Sequence, residues 1–202
     1  MSVPGSGSGS GSGRRRPARE RLLEVAARRF YADGVAATGI DTITAEAGVA
    51  KMSLYNNFSS KADLVRVYLD TRHEEWLGLY RARSERAQGP REGVLAVFDA
   101  YADHAAFAYE HGFRGCGLLN AAAELPAGDE GRAVVRAHKE EVERLIADHL
   151  EKLLPGRPEA ARALAEHLSF LLEGAMARAG LEGDGERVQH ARSMAVTLLD
   201  RL

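Results

Sequence analysis

The chain has 202 residues, of which 45% are hydrophobic, and a formal net charge of −2, so it can form a substantial core. No apolar run is long enough to span a membrane, and the Gly/Ser repeat at residues 1–13 lacks the apolar stretch of a signal peptide. The single cysteine, Cys116, excludes an internal disulfide framework and is typical of a reducing compartment, so we expect a cytoplasmic protein.

Residues 1–16 combine this Gly/Ser repeat with a basic cluster, Arg14 to Arg16. We interpret them as a flexible linker and a basic arm, which either reaches DNA phosphates or is only a solvated tail. From Arg14 to Arg72 there are eleven basic and seven acidic residues, whereas the rest of the chain has sixteen basic and twenty-two acidic residues. A basic segment joined to an acidic one is the distribution expected of a DNA-binding head on a body that does not bind DNA.

Hydrophobic periodicity and the positions of Gly and Pro predict an all-α protein with nine helices and no strand. Thr38 and Asp41 are candidate N-caps of the second helix. The predicted helices span residues 18–32, 40–47, 51–57, 61–85, 91–111, 117–125, 130–154, 158–180 and 185–201.

The second and third predicted helices meet at Gly48 and leave room only for a tight turn. This is a helix-turn-helix signature, in which the second helix of the pair enters the major groove of DNA. Leu54 and Phe58 lie four residues apart and predict the inward face of that helix. The opposite face is polar. We predict base contacts from Lys51, Met52, Ser53 and Tyr55, and phosphate contacts from Asn56, Asn57, Thr38 and Lys61. The alternative is a helical hairpin with a polar outer face.

Residues 21–64 resemble the N-terminal domain of TetR-family (tetracycline-repressor-type) regulators. The matching residues are Ala26, Ala27, Phe30, Gly34, Thr38, Ile43, Ala47, Gly48, Val49, Leu54, Tyr55, Phe58, Lys61 and Leu64. This spacing is specific, because three helices and two turns must agree. The resemblance implies a homodimer whose larger helical domain binds an effector and pairs through its C-terminal helices.

The fourth predicted helix is long enough to belong to both parts of the chain, with Lys61 at its DNA-facing end and Trp76 and Tyr80 at its far end. Such a helix can move the head when the body changes shape. We therefore divide the chain into a linker and arm (1–16), a helix-turn-helix DNA-binding domain (17–62), and a helical domain for effector binding and dimerisation (63–202).

The last two predicted helices are the candidates for dimerisation. The helix at 158–180 is apolar almost all round, which indicates burial on more than one side. The final helix carries an apolar stripe at spacings of three and four, formed by Val188, Ala191, Ala195, Leu198 and Leu202. Both helices could instead belong to the core of a monomer. Because two-fold dimers read two half-sites, we predict a homodimer through these helices.

Aromatic residues with a few polar neighbours are concentrated in the body, as expected of a pocket for a small, mostly apolar effector. The predicted pocket residues are Trp76, Tyr80, Phe98, Tyr101, His104, Asn120, His138, Phe170, Glu173 and Met176. For any one of them, the alternative is an ordinary place in the core.

Cys116 lies between Gly115 and Gly117, in a segment that resembles the start of a short helix near the effector pocket of TetR-family proteins. Its thiol either senses oxidants or electrophiles or is a small side chain packed in a turn. The chain has no recognisable metal-ligand spacing, nucleophile elbow or phosphate-binding glycine loop, so we expect no metal, no cofactor and no enzymatic activity.

We therefore predict a ligand-responsive transcriptional regulator, a repressor that a small effector releases from double-stranded operator DNA. The first alternative is a helical protein-interaction module without sequence-specific DNA binding. The second is a thiol-dependent enzyme that uses Cys116.

Overall fold

The computed structural model describes residues 17–107 and 110–202, and within these ranges the chain forms helices and connecting turns without a strand. The predicted linker and basic arm at 1–16 lie outside the described residues. The nine described helices are α1 (Ala18–Ala32), α2 (Ile40–Glu46), α3 (Lys51–Tyr55), α4 (Lys61–Ser84), α5 (Pro90–Ala105), α6 (Gly117–Ala123), α7 (Glu130–Leu153), α8 (Pro158–Glu182) and α9 (Glu186–Leu199). The all-α prediction is confirmed.

Two details of the predicted helices were wrong. The fifth helix ends at Ala105, six residues before its predicted end, and Phe107 just beyond it is 44% exposed. Ala106 and Phe107 are both exposed, so these two residues bury no apolar face that would stabilise a longer helix. The second helix begins after Gly39 and has no side-chain cap, because Thr38 is buried and Asp41 is already inside the helix.

The head consists of α1, α2, α3 and the start of α4 around one small apolar core. Leu22, Ile43 and Leu54 are completely buried in it, and Phe58 is 2% exposed. The turn between α2 and α3 requires Gly48, whose φ of +61° is in the left-handed region that favours glycine. The predicted helix-turn-helix is therefore present, with Leu54 and Phe58 on its inner side.

The helix α4 connects the head to the body. Its first half buries Leu64 and Tyr68, and the Tyr68 ring meets Phe30 of α1 edge to face at 5.4 Å. Its second half buries Trp76 and Tyr80, which stack on one another at 5.8 Å inside the body. The predicted domain boundary after residue 62 thus falls inside a helix that both parts share.

The body is built from α4, α5, α7, α8 and α9. The helix α7 packs on α5 and α8, and α9 packs on α5 and α8. The short helix α6 lies between α1, α4 and α7, and so touches both head and body. Among the described residues, no helix is long and apolar enough to cross a membrane.

Candidate functional site

The helix α3 presents its non-core face to solvent. Met52 is 68% exposed and Tyr55 is 47% exposed, while Leu54 between them is fully buried. Lys51, Asn56 and Asn57 are exposed as well. Large side chains at the surface of a five-residue helix gain no packing energy there, so this face is available to a partner.

Two of these polar side chains have local partners that DNA could replace. The Lys51 ammonium lies 2.8 Å from an Asp41 carboxylate oxygen, and this hydrogen bond raises the pKa of Lys51 and keeps it charged. The Asn57 amide donates to the Ser53 carbonyl at 2.7 Å. Both contacts are exposed, so water competes for the hydrogen bond of Asn57 and screens the ion pair of Lys51, and either side chain can exchange its partner easily.

The Thr38 side chain, for which we predicted a phosphate contact, is turned into the head in this structure. Thr38 is 3% exposed, and its hydroxyl donates to the Gly34 carbonyl at 2.6 Å. The hydroxyl closes the turn after α1 and points away from solvent. Lys61, the first residue of α4, is partly exposed beside the α3 surface.

Several basic side chains of the head brace it internally. The Arg21 guanidinium donates to the Ala47 carbonyl at 2.7 Å and to the Gly48 carbonyl at 3.2 Å, at the turn of the helix-turn-helix. Arg28 and Arg29 pair with Glu46 of α2. These arginines fix the angle between α1 and α2, and only part of the positive charge of the head is left for phosphates.

An internal cavity lies in the body where α4, α5 and α7 meet the N-terminus of α6. Its volume is about 20 Å³, which is room for roughly one water molecule. The lining residues are Tyr31, Arg72, Trp76, Tyr101, His104, Cys116, Gly117, Leu118 and His138. One of them, Tyr31, belongs to α1 of the head.

The two histidines of the cavity wall are neutral at physiological pH. Burial, together with the nearby Lys139 cation, lowers the pKa of His138 to about 2. Burial and the Arg72 cation lower the pKa of His104 to about 4. The His138 ring lies between two partners. Its Nδ1 is 2.9 Å from Nδ1 of His73, and its Nε2 is 3.3 Å from the Tyr101 hydroxyl.

Three polar atoms near this cavity are buried without a hydrogen-bond partner among the described residues. They are Nε1 of Trp76, Nε of Arg72 and the hydroxyl of Tyr68. Trp76 and Arg72 line the cavity, and the Tyr68 oxygen is 3.2 Å from where a Cβ on Gly117 would stand. Unpaired buried polar groups are costly, so their proximity favours a molecule that offers hydrogen-bond acceptors.

Only some of the ten predicted pocket residues lie at this cavity. Trp76, Tyr101, His104 and His138 line the cavity, and the other six do not. Phe98 and Met176 are completely buried elsewhere in the core, and Phe170 is 66% exposed on α8.

The remaining three are engaged in contacts of their own. The Tyr80 hydroxyl is 2.9 Å from Nε2 of His149, and the Asn120 amide donates to the Arg114 carbonyl at an exposed site. Glu173 pairs with Lys139 at 2.8 Å. Because α8 supplies no lining residue, the cavity lies closer to α6 and the head than the predicted set of pocket residues would place it.

Five lining residues were not among the predicted pocket residues, and three of them lie in the segment whose resemblance placed it near the pocket. They are Tyr31, Arg72, Cys116, Gly117 and Leu118. A signal for Arg72 existed, since it lies one helical turn before Trp76 and therefore on the same face of α4. No local pattern could have found Tyr31, because its contact with the body joins residues more than eighty positions apart.

Hydrogen bonds join the end of α1 to the segment before α6. The Arg114 backbone N–H donates to the Tyr31 hydroxyl at 2.7 Å, and that hydroxyl donates to the Gly115 carbonyl at 3.2 Å. The Arg114 guanidinium donates to the Tyr31 carbonyl at 2.8 Å and also to that of Ala32. The cavity wall and the last turn of α1 are therefore one hydrogen-bonded unit.

A second connection lies at the other end of α6. The Glu124 carboxylate accepts from the backbone N–H groups of Val35 and Ala36 at 3.1 and 2.6 Å. A side chain on Gly34 would collide with it, since a Cβ there would be 2.7 Å from a Glu124 oxygen. The short helix α6 is thus attached to the head at both of its ends.

A helix-turn-helix head on a larger helical body defines a class of DNA-binding regulators. Residues 22–68 match the family model described as "Bacterial regulatory proteins, tetR family". Among curated proteins, the HTH-type transcriptional regulator TtgR of Pseudomonas putida is 42% identical over 86 residues, and this match covers 40% of the present chain and 41% of TtgR. The match therefore spans only about two fifths of the length of TtgR.

Solved structures are similar over nearly the whole chain. A TetR-family transcriptional regulator from Streptomyces coelicolor is 36% identical with a TM-score of 0.79, over 91% of this chain and 94% of that one. A TetR transcriptional regulator from Chloroflexus aurantiacus is 27% identical with a TM-score of 0.77, over 91% of this chain and 94% of that one. The chain belongs to the TetR family of transcriptional regulators, as its sequence predicted, and the helical interaction module is not favoured. Members of this family are generally not enzymes.

Proposed function

We propose that this protein is a cytoplasmic, homodimeric repressor that leaves its operator when a small, mostly apolar molecule enters the body. In each subunit α3 lies in the major groove, where Lys51, Met52, Ser53 and Tyr55 meet base edges. Asn56, Asn57 and Lys61 bind phosphates beside it. The exposed large side chains of α3 support this role.

The observation that carries the switch is the double role of Tyr31. Its ring lines the cavity, while its backbone and hydroxyl hold Arg114 and Gly115. An effector that pushes on this wall therefore acts directly on the last turn of α1. A ligand can shift operator occupancy only if it binds more tightly to the conformation that does not fit the operator. Because Tyr31 belongs to both the cavity wall and the head, the affinity of the cavity for a ligand depends on the position of the head.

The cavity must expand before it can hold an effector, because it now has room for roughly one water molecule. A groove of about 550 Å³ lies on the other side of Tyr31 and Arg72, between α1 and α4. A shift of these two side chains would join groove and cavity. The aromatic walls and unpaired donors favour a compact aromatic molecule that carries acceptor oxygens.

The proposed dimer surface lies on α8 and α9, beside the apolar stripe predicted for α9 rather than centred on it. Val188, Ala191 and Ala195 of that stripe are buried within the same chain. Two exposed apolar side chains, Phe170 at 66% and Met194 at 44%, border a groove of about 430 Å³ between these helices. We propose that a second copy covers this groove, as in a four-helix bundle of two paired subunits.

The test begins with selection of bound sequences from a random DNA pool, followed by fluorescence anisotropy on the selected and on unrelated DNA. We expect a near-palindromic site whose half-site centres are about 34–36 Å apart. Compounds that raise the thermal stability should lower operator affinity by roughly 5–150-fold. Equal affinity for selected and unrelated DNA at every salt concentration would refute specific recognition. Stabilising compounds that never change operator affinity would refute the switch alone.

A further inference from the structure

Cys116 lies at the wall of the cavity, next to a lysine ammonium. It is the N-cap residue of α6 and is 7% exposed. Nζ of Lys139 is 3.5 Å from its sulfur, 3.3 Å from the Tyr101 oxygen and 2.8 Å from a Glu173 carboxylate oxygen. The Lys139 side chain is 18% exposed, so this cation is largely removed from solvent.

The lysine remains charged in this position. Burial lowers the pKa of Lys139, but the neighbouring Cys116, Tyr101 and Glu173 outweigh burial and raise it above its usual range. An ammonium 3.5 Å from a sulfur can stabilise the negative charge that the sulfur carries when it acts as a nucleophile. The sequence left a sensing thiol as one of two interpretations of Cys116, but it could not show this cation, because Lys139 is twenty-three residues away.

A second and independent feature of the same cavity indicates what would meet this sulfur. Trp76 is 3% exposed, and its ring N–H has no acceptor among the described residues. Both Trp76 and Cys116 line the cavity. A molecule that reacts with the thiol and also carries a carbonyl oxygen would provide the acceptor that this buried donor lacks.

We propose that Cys116 is a covalent sensing site for small α,β-unsaturated carbonyl compounds, and the regulatory part of this inference rests on the proposed function. The sulfur forms a bond to the β-carbon, and the electron pair of the C=C bond moves towards the carbonyl oxygen, which becomes an enolate. The Trp76 N–H stabilises that oxygen. The proton lost from the thiol is balanced by one delivered to the α-carbon, so the net reaction adds S–H across C=C without an oxidant.

The adduct has a structural consequence because the surrounding space is nearly filled. The cavity has a volume of about 20 Å³, less than any such adduct needs. The segment before Cys116 is already packed closely against α8, where even a Cβ on Gly180 would be 2.7 Å from the Gly115 nitrogen. Tyr31 lines the same cavity, so we expect the modification to displace the end of α1 and the head with it.

The experiment uses the full chain and methyl vinyl ketone, with butanone as the unreactive control, and follows the adduct by intact-mass spectrometry. We expect one adduct, at Cys116, formed about tenfold or more faster than the adduct of glutathione at the same pH. Cys116→Ser should form none. A reaction no faster than that of glutathione would overturn the inference, and this comparison needs no variant.

Variants then test the role of the lysine. Lys139→Arg keeps the charge and should react nearly as fast as the unchanged chain. Lys139→Met/Glu173→Leu removes the cation together with the carboxylate that would be left unpaired, and should react about tenfold more slowly. The matched control, Lys152→Met, removes an exposed lysine from the same helix and should leave the rate unchanged. Equal rates in all four proteins would overturn the proposal.

Operator binding of each protein is measured before and after treatment, and each is compared with its own untreated affinity. We expect treatment to weaken binding by roughly 5–150-fold in the unchanged chain and to have no effect in Cys116→Ser. An adduct that leaves operator affinity unchanged would overturn covalent sensing while leaving the repressor function intact. Failure of the untreated protein to bind any selected DNA would count against the proposed function instead.

Discussion

The head and the body use charged side chains in opposite ways. In the head, Lys51 and Asp41 form an ion pair with 57% and 81% of their side chains exposed. In the body, Lys139 and Glu173 form one with only 18% and 25% exposed. The nitrogen–oxygen distance is 2.8 Å in both pairs, so the pairs differ in their exposure to solvent and not in this distance.

Solvent exposure determines what each pair can do. Water screens the pair in the head, so Lys51 can leave Asp41 for DNA at little cost. The pair in the body has lost most of its hydration, so either partner left alone would be an unpaired buried charge. Exchangeable charges suit a surface that binds and releases a polyanion, whereas fixed charges suit a site whose chemistry depends on position.

The largest expected effect is that of removing one partner of the body pair. Lys139→Met should lower the free energy of unfolding by about 3–5 kcal/mol, because Glu173 is left buried and unpaired. The double variant Lys139→Met/Glu173→Leu should recover most of this loss. Urea denaturation measures both, and a double variant that is no more stable than the single one would show that the charges are not coupled.

A charge placed on the apolar surface of α8 should separate the proposed subunits. Phe170→Glu should yield a monomer in sedimentation, with operator affinity lowered by about a hundredfold or more, because a monomer reads only one half-site. Ala137→Glu adds the same charge to an exposed position of α7 and should remain dimeric. If Phe170→Glu remains a tight dimer, the interface lies elsewhere.

Mild acid should weaken the body through its buried histidines, and the described part of the head contains none. The pKa values of His138 and His104 are lowered to about 2 and about 4, so below about pH 6.5 the unfolded chain binds protons that the folded chain does not. Stability should be constant above that pH and fall by about 1 kcal/mol per pH unit for each imidazole between pH 6.5 and 4.

Urea denaturation at pH 7 and pH 5 measures this loss of stability. His104→Asn should make the pH dependence shallower, because the variant loses one of the two imidazoles. An unchanged pH dependence in this variant would mean that His104 gains its proton with equal ease in both states.

In the head, substitution should change binding and leave stability nearly unaffected. Lys51→Ala should reduce the preference for operator over random DNA by about tenfold to a hundredfold, because it removes a base contact. Lys61→Ala is the comparison. It should weaken binding to all sequences alike and reduce the salt slope by about one. The assignment of roles is wrong if the two variants lose affinity equally on operator and random DNA.

The smallest expected effect concerns the connection between the two parts. Tyr31→Phe removes the hydroxyl that bonds Arg114 and Gly115, and should lower the free energy of unfolding by about 1 kcal/mol. It should also reduce the change in operator affinity that methyl vinyl ketone causes. Tyr80→Phe loses a hydroxyl bond to His149 within the body and should lose similar stability without that reduction. Equal ketone responses in both variants would argue against Tyr31 as the link.

The sequence by itself determined the helices, the family and the inner face of the recognition helix. Leu54 and Phe58 could be placed because helical spacing is local, and Gly48 because only certain backbone angles close so tight a turn. The same helical periodicity predicted which residues of α3 are exposed. The length of α5 was not predicted, because helical stability depends mostly on tertiary packing, which the local sequence pattern beyond Ala105 does not show.

Only the tertiary structure decided where the cavity lies and which residues surround it. Tyr31 and Arg114 are eighty-three residues apart, and Cys116 and Lys139 twenty-three, so no periodicity relates them. Phe170 and Met176 lie on the same helix, yet one faces solvent and the other is completely buried. The physical reason is that the spacing of residues along the chain determines which face of a helix they share. Which other helix covers that face depends on how all the helices pack together.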